Sequence, residues 1–131
     1  MSCLQSKMLS YKLKSKNALI PMKTYWRDVG FELYSADDKV IPPRSRALIN
    51  TDVSFTFPFG YYGLIIPIPE ISIKHHVDVI NFSVENEIES IKVLMINNSD
   101  LEYIVKKSDR IALMIVNKYF DHFIMFESIQ E

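Results

Sequence analysis

Apolar residues along this chain either form short runs or alternate with polar ones, and turn-forming residues separate the segments. Over residues 8–14 apolar and polar side chains alternate, which is the period-two pattern of a half-buried strand. Residues 61–66 form an apolar run directly behind a Pro-Phe-Gly turn. The same pattern predicts further strands at residues 54–57, 88–96, 101–105 and 111–116.

The sequence NNSD at residues 97–100 is a strong turn signal between two of these segments. It predicts that residues 88–96 and 101–105 pair as the two arms of a hairpin. Helical spacing occurs only at residues 85–92, and it fits a strand equally well. Many short strands in 131 residues predict one all-β domain, either a sandwich or a jelly roll.

Composition and charge narrow the class of protein. Hydrophobic residues make up 48% of the chain, which argues against disorder, and the formal net charge of −1 argues against a nucleic-acid binder. No apolar run reaches the roughly 20 residues of a membrane-spanning helix. A single cysteine, Cys3, and the lack of a signal peptide predict an intracellular protein of the cytoplasm or nucleus, not a secreted one.

General searches for a reactive site find little. His75 and His76 are adjacent, so in a strand they point to opposite faces and cannot chelate one metal ion together. His122 stands alone. Asp37 and Asp38 fit half of a magnesium site, but adjacent aspartates more often form a plain turn. No metal site and no cofactor are predicted from these residues.

Several segments, taken in order, resemble the motifs of the trimeric dUTPases. Residues 28–36 read DVGFELYSA, similar to the first motif, in which a glycine, an aromatic residue and an Asp precede Leu-Tyr-Ser-Ala. Residues 108–112 read SDRIA, similar to the fourth motif, and residues 93–99 match the strand between them. The resemblance covers roughly residues 9–116. It implies the dUTPase-like jelly roll, a β-sandwich barrel, with residues 1–7 flexible and residues 120–131 forming a terminal strand or tail.

The resemblance also implies which residues would handle dUTP, and several positions depart from it. In the second motif Ile68 and Pro69 stand where the family has Arg and Ser for the phosphates, and Glu70 follows. In the third motif Asn81 replaces the water-activating Asp, and Val84 replaces the Tyr that packs on the deoxyribose. In that alignment Glu85 replaces an Arg, and the interval between the two motifs is about three residues short.

The first and fourth motifs keep some family residues and lose others, and the fifth motif is missing. Gly30, Asp109 and Arg110 keep the family residues, whereas Glu32 replaces an Asp and Leu113 replaces a phosphate-contacting Gln. The fifth motif, a glycine-rich tail, is absent, since no glycine follows Gly63 in the sequence. These departures predict a scaffold that keeps the fold and has lost the chemistry.

The first functional prediction is therefore a pseudoenzyme: a degenerate viral dUTPase-like protein, similar to the adenoviral early-region derivatives, that contacts a host signalling protein. The resemblance also implies a homotrimer, and a terminal Glu argues against a PDZ-type C-terminal ligand. The predicted interaction surface is aromatic, although core or subunit packing is equally open to these residues: Trp26, Phe59, Tyr61, Tyr62, Tyr119, Phe120, Phe123 and Phe126.

Two alternatives remain open from the sequence. The chain is either a divergent active dUTP diphosphatase, which would need magnesium to yield dUMP and pyrophosphate, or a nucleotide binder that does not hydrolyse its ligand. A dUTP hydrolysis assay separates the first from the other two.

Overall fold

The computed structural model describes residues 8–23, 30–86, 89–119 and 124–129. Within these ranges the chain forms eleven strands and one short helix. In chain order the elements are β1 (Ser10–Leu13), β2 (Gly30–Tyr34), β3 (Lys39–Ile41), β4 (Arg46–Asn50), β5 (Val53–Thr56), β6 (Tyr61–Ile66), α1 (Pro69–His75), β7 (Val77–Val79), β8 (Phe82–Val84), β9 (Lys92–Asn97), β10 (Tyr103–Val105) and β11 (Arg110–Lys118). The predicted flexible segment, residues 1–7, lies outside the described residues.

The strands form two antiparallel sheets and two ribbons. One sheet has the order β2-β11-β6-β8 and the other the order β4-β9-β7, while β1 pairs with β5 and β3 with β10. Alternate residues of β9, such as Val93 and Met95, are fully buried, as expected for a strand with one face toward a core. The buried side chains of both sheets belong to one hydrophobic cluster. The prediction of a single all-β domain with sandwich architecture is confirmed.

Gly63 in β6 allows this core to pack closely. A Cβ atom at this position would lie 2.8 Å from Cζ of Phe57 and 2.9 Å from Sδ of Met114 on β11. Real Cβ contacts are longer than this, so any larger residue would force the neighbouring side chains to move. Gly63 is therefore a packing requirement, and the pairing of β6 with β11 depends on it.

The predicted hairpin of residues 88–96 and 101–105 is wrong. β9 pairs with β4 and β7, whereas β10 pairs with β3. The buried side-chain amide of Asn97 donates hydrogen bonds to the carbonyl oxygens of Ile41, Pro42 and Leu101. These bonds tie the turn to the end of β3, so the chain continues along β3 and does not fold back on β9.

The helix α1 was not predicted. It begins with Pro69 at its first position and Glu70 in its first turn, and none of its residues is buried. His75 lies in this helix and His76 is its left-handed cap with φ 55°, so the two adjacent histidines are exposed and are not in a strand. Among the described residues, no helix has the length and apolar content to cross a membrane.

Candidate functional site

The predicted site residues fall into two groups at opposite ends of the four-stranded sheet. Arg110 begins β11, and Lys118 ends it. In the pairing with β6, Leu113 lies opposite Ile66 and Lys118 opposite Tyr61. The separation of five residue steps between these two pairs corresponds to about 17 Å along the strand. Two clusters of polar side chains, one at the Arg110 end and one at the Lys118 end, are therefore separated within one chain.

The first cluster, the Arg110 end of the sheet, is an ion-pair triad. Arg110 Nη1 donates to Glu32 Oε2 at 3.1 Å, and Nη2 donates to Glu70 Oε2 at 3.4 Å. The Glu32 side chain is only 11% exposed, whereas that of Glu70 is 70% exposed. The hydrogen bond from Arg110 to Glu32 raises the pKa of Arg110. This effect is larger than the opposing effect of burial. The guanidinium is thus held firmly on one side and loosely on the other.

Neighbouring positions of this cluster have structural roles. The carboxylate of Asp109 accepts the backbone N–H of Lys106 at 2.9 Å and closes the turn before β11. Leu113 lies opposite Glu32 across the strand pair. Gly30 is buried at the start of β2, where a Cβ atom would lie 3.1 Å from the carbonyl oxygen of Met114. Asp109 therefore serves the turn, and Gly30 and Leu113 take part in the strand pairing of the sheet.

The second-motif positions lie where β6 passes into α1. Ile68 is 4% exposed and precedes the helix without making a side-chain cap, and Pro69 occupies its first position. Neither side chain carries a hydrogen-bond donor for a phosphate group. Their contribution is geometric, because the helix they begin carries Glu70 to Arg110.

The second cluster, the Glu85 end of the sheet, lines an open cleft of about 880 Å³. Glu85 follows β8, and its Oε1 accepts a hydrogen bond of 3.0 Å from the hydroxyl of Tyr119. The ring of Tyr119 stacks on Tyr62 with a centroid distance of 5.3 Å. The hydrogen bond to Glu85, more than burial, raises the pKa of the Tyr119 phenol. Lys118 lines the same cleft.

Asn81 and Val84 occupy different environments near this cleft. Asn81 is exposed between β7 and β8 and lines the cleft. Val84 is 2% exposed, lies opposite Gly63 and belongs to the hydrophobic core. A side chain buried in this way has no surface to offer a sugar ring. The alignment that gives Val84 the deoxyribose contact therefore has no geometric support.

The predicted aromatic surface is only partly described. Tyr61, Tyr62 and Tyr119 lie together at the Glu85 end of the sheet, and Phe59 is 91% exposed beside them. Phe126 is also exposed. The other three predicted members lie outside the described residues: Trp26, Phe120 and Phe123.

Two features of these clusters were missed by sequence reasoning. One is the contact of Glu70 with Arg110, for which Pro69 followed by an acidic residue is the available signal, because this pair is typical of a helix start. The other is the hydrogen bond from Tyr119 to Glu85. No local sequence pattern predicts this hydrogen bond. The two residues lie 34 positions apart and meet only after β11, β6 and β8 have paired.

Comparison with known proteins identifies relatives over almost the whole chain. The dUTPase family model matches residues 16–131. Deoxyuridine 5′-triphosphate nucleotidohydrolase of Eremothecium gossypii is 35% identical over 126 residues, which cover 94% of this chain and 82% of that protein. The protein of the same name from avian adenovirus 8 is 38% identical over 112 residues, or 85% of this chain and 69% of the relative.

Solved structures agree in fold. A mutant dUTPase of Staphylococcus bacteriophage 80alpha, solved with dUpNHpp, superposes with a TM-score of 0.84 at 24% identity, covering 95% of this chain and 92% of that chain. A mutant dUTPase from phage phi11 of S. aureus, in which the coordination of a structural Mg(II) ion was described, gives a TM-score of 0.82 at 22% identity. It covers 95% of this chain and 98% of that chain. The predicted dUTPase-like jelly roll is confirmed.

The prediction of a pseudoenzyme kept as a viral protein-interaction module is wrong. Relatives that are 30–38% identical over most of this chain are named as nucleotidohydrolases, so the comparisons favour an enzyme. The prediction treated lost donors at Ile68 and Pro69 as loss of function. Physically, losing one donor lowers affinity or rate by a finite factor and leaves the other groups of a site in place.

The resemblance carried by the ordered motifs is thus supported independently by sequence identity and by fold. Its range, residues 9–116, lies largely within the 16–131 matched by the family model. The retained motif residues Gly30 and Arg110 lie on paired strands of one sheet, and Asp109 closes the turn directly before β11. This chain belongs to the dUTPase family.

Proposed function

We propose that this protein is a dUTP nucleotidohydrolase that converts dUTP to dUMP and pyrophosphate. The observation that carries the proposal is its 35% identity, over 94% of the chain, with a protein named for that reaction. The geometry adds a carboxylate, Glu85, in an open cleft beside hydroxyl groups and a lysine. A carboxylate within reach of a water molecule is the group that such a hydrolysis requires.

Glu85 takes the place of the family Asp if the third motif is aligned four residues later. The family pattern is Gly-Val-Ile-Asp, and residues 82–85 read FSVE, in which a three-residue strand is followed by a carboxylate. This alignment removes the shortage of about three residues in the preceding interval. It also leaves Val84 in the core, in keeping with its burial, and gives no catalytic role to the amide of Asn81.

In the proposed reaction a water molecule attacks the α-phosphorus of dUTP. Its oxygen forms the new bond to phosphorus, the bond to the β-phosphate oxygen breaks, and pyrophosphate leaves. Glu85 accepts the proton that the water loses. Tyr119 donates a hydrogen bond to Oε1 of Glu85 and so orients the carboxylate. The exposed Glu85 has one further oxygen available to the water.

Magnesium enters this scheme with the substrate. The described residues contain no group of three His, Cys, Asp or Glu side chains that would hold a metal ion. Magnesium keeps several water ligands and is commonly held through substrate phosphates and one or two carboxylates, which fits a site of this kind. We therefore take the substrate to be the magnesium complex of dUTP, in which the ion offsets the charge of the triphosphate.

Self-association, as a homotrimer, is part of the proposal. Arg110 and Glu85 lie at opposite ends of β11, too far apart within one chain for a single nucleotide's reacting phosphate to meet both. Copies arranged around a symmetry axis bring the Arg110 end of one chain to the Glu85 end of another. Light scattering of the purified chain measures this state directly.

The test is dUMP formation from dUTP, followed by chromatography with and without magnesium. We expect turnover by the natural protein that stops on chelation of magnesium, and Glu85→Gln should lower kcat by about 10²–10⁴-fold, the usual range for a lost general base. Glu102→Gln is the matched control, because Glu102 is also exposed and lies outside both the cleft lining and the third motif. It should leave kcat unchanged.

Two results would contradict the proposal. Absence of dUMP formation by a folded natural protein would remove the enzyme function. Turnover that persists in Glu85→Gln and disappears in Asn81→Ala would restore the first alignment of the third motif. It would show that Glu85 is not the general base.

A further inference from the structure

The Arg110 end of the sheet contains a cation whose accessible edge is occupied by a carboxylate of the same chain. Arg110 is 44% exposed, and its two terminal nitrogen atoms are each bonded to a different glutamate. A guanidinium presents a planar fork that suits the oxygen atoms of a phosphate group. Here Nη1 donates a hydrogen bond to Glu32 and Nη2 donates one to Glu70.

The two bonds differ in how easily an incoming anion displaces them. The contact with Glu32 is shorter, 3.1 Å, and its carboxylate is almost buried, so it fixes the position of Arg110. The contact with Glu70 is 3.4 Å long, and 70% of the Glu70 side chain is exposed. Exposed pairs of this kind contribute only about 0–1 kcal/mol, so solvent or another anion readily replaces the carboxylate.

Glu70 lies on the solvent side of a short helix, which packs against the core through its neighbour Ile71. It occupies the first turn of α1, a seven-residue helix without a buried residue. Its side chain is free to swing into solvent without disturbing the core. Displacement of Glu70 therefore exposes Nη2 of Arg110, while Glu32 keeps the guanidinium in place.

We propose that Glu70 is an internal competitor for phosphate at Arg110, which a polyphosphate must displace to reach the guanidinium. The anion fitted to this position is a pyrophosphate unit, free or as part of a nucleotide. Insofar as that unit belongs to dUTP, the inference rests on the proposed function. In that case Glu70 raises KM for the nucleotide and weakens inhibition by the pyrophosphate product, because the negative charge opposes both.

The test measures binding of sodium pyrophosphate to the full chain by isothermal titration calorimetry, without any turnover. Removing one negative charge near the anion should lower Kd for pyrophosphate about three- to tenfold in Glu70→Gln. Glu102→Gln removes the same charge from another exposed position and is the matched control. Arg110→Lys keeps the positive charge and loses the planar guanidinium. When Glu70→Gln is added to this variant, Kd for pyrophosphate should fall by less than it does in the natural background.

An unchanged Kd in Glu70→Gln, an equal gain in Glu102→Gln, or no binding in either protein overturns the inference. Circular dichroism of each variant verifies folding. The assay also separates this inference from the proposed function. Tighter pyrophosphate binding without dUTP turnover supports the competitor and refutes the enzyme, whereas turnover without tighter binding does the reverse.

Discussion

Gly63→Ala tests the packing that joins the two halves of the four-stranded sheet. The added methyl group would lie 2.8 Å from Phe57 Cζ and 2.9 Å from Met114 Sδ, and both side chains are buried. Overpacking of a core costs about 1–3 kcal/mol. Replacing glycine also reduces the entropy of the unfolded chain, which offsets about 0.4–1 kcal/mol. The net expectation is a loss of about 1–2 kcal/mol in the free energy of unfolding.

Urea denaturation followed by circular dichroism measures this loss, and an unchanged m-value verifies that two-state unfolding still applies. For a chain of this size the melting temperature should fall by about 4 °C per kcal/mol. Gly63→Ala combined with Phe57→Leu makes room for the methyl group, so the two losses should be less than additive. Stability equal to that of the natural protein, or strict additivity in the double variant, would refute the argument.

Two further predictions concern the charged and phenolic groups. Arg110→Met should lower the free energy of unfolding by about 1–2 kcal/mol because the nearly buried Glu32 loses its ion pair with Arg110. Arg44→Met, at a largely solvated pair, should change it by less than about 0.5 kcal/mol in the same denaturation assay. The raised pKa of Tyr119 should fall toward the ordinary value in Glu85→Gln, as seen by ultraviolet titration against a Tyr119→Phe reference. Because the folded pKa is the higher one, the stability from this bond is complete below about pH 10 and is lost as pH rises through the folded value.

The strands were predictable where local pattern and turn chemistry agree. Residues 61–66 match β6 because a Pro-Phe-Gly turn precedes a compact apolar run, and one end of the run is closed by Pro67. The pairing of β10 with β3 was not predictable, since a three-residue strand fits several edges equally well. The tertiary hydrogen bonds of Asn97 to Ile41 and Leu101 favour the pairing that forms.

The candidate site shows the same division. Glu32 and Arg110 were identified from the first and fourth motifs, and the structure brings them together across β2 and β11. The third motif was harder, because the two short strands β7 and β8 offer similar patterns four residues apart. Burial of Val84 supports the later alignment that we propose, and burial is a property of the packed sheet that a sequence window does not contain.

The length of β11 couples the two ends of the four-stranded sheet. A point substitution at Arg110 or near Lys118 alters one end of the sheet and leaves the other untouched, so the two ends are free to change independently. A single deletion inside the strand would instead turn every following side chain to the opposite face. The number of residues in β11 therefore sets which face every later side chain occupies, whereas a substitution acts only at its own end of the sheet.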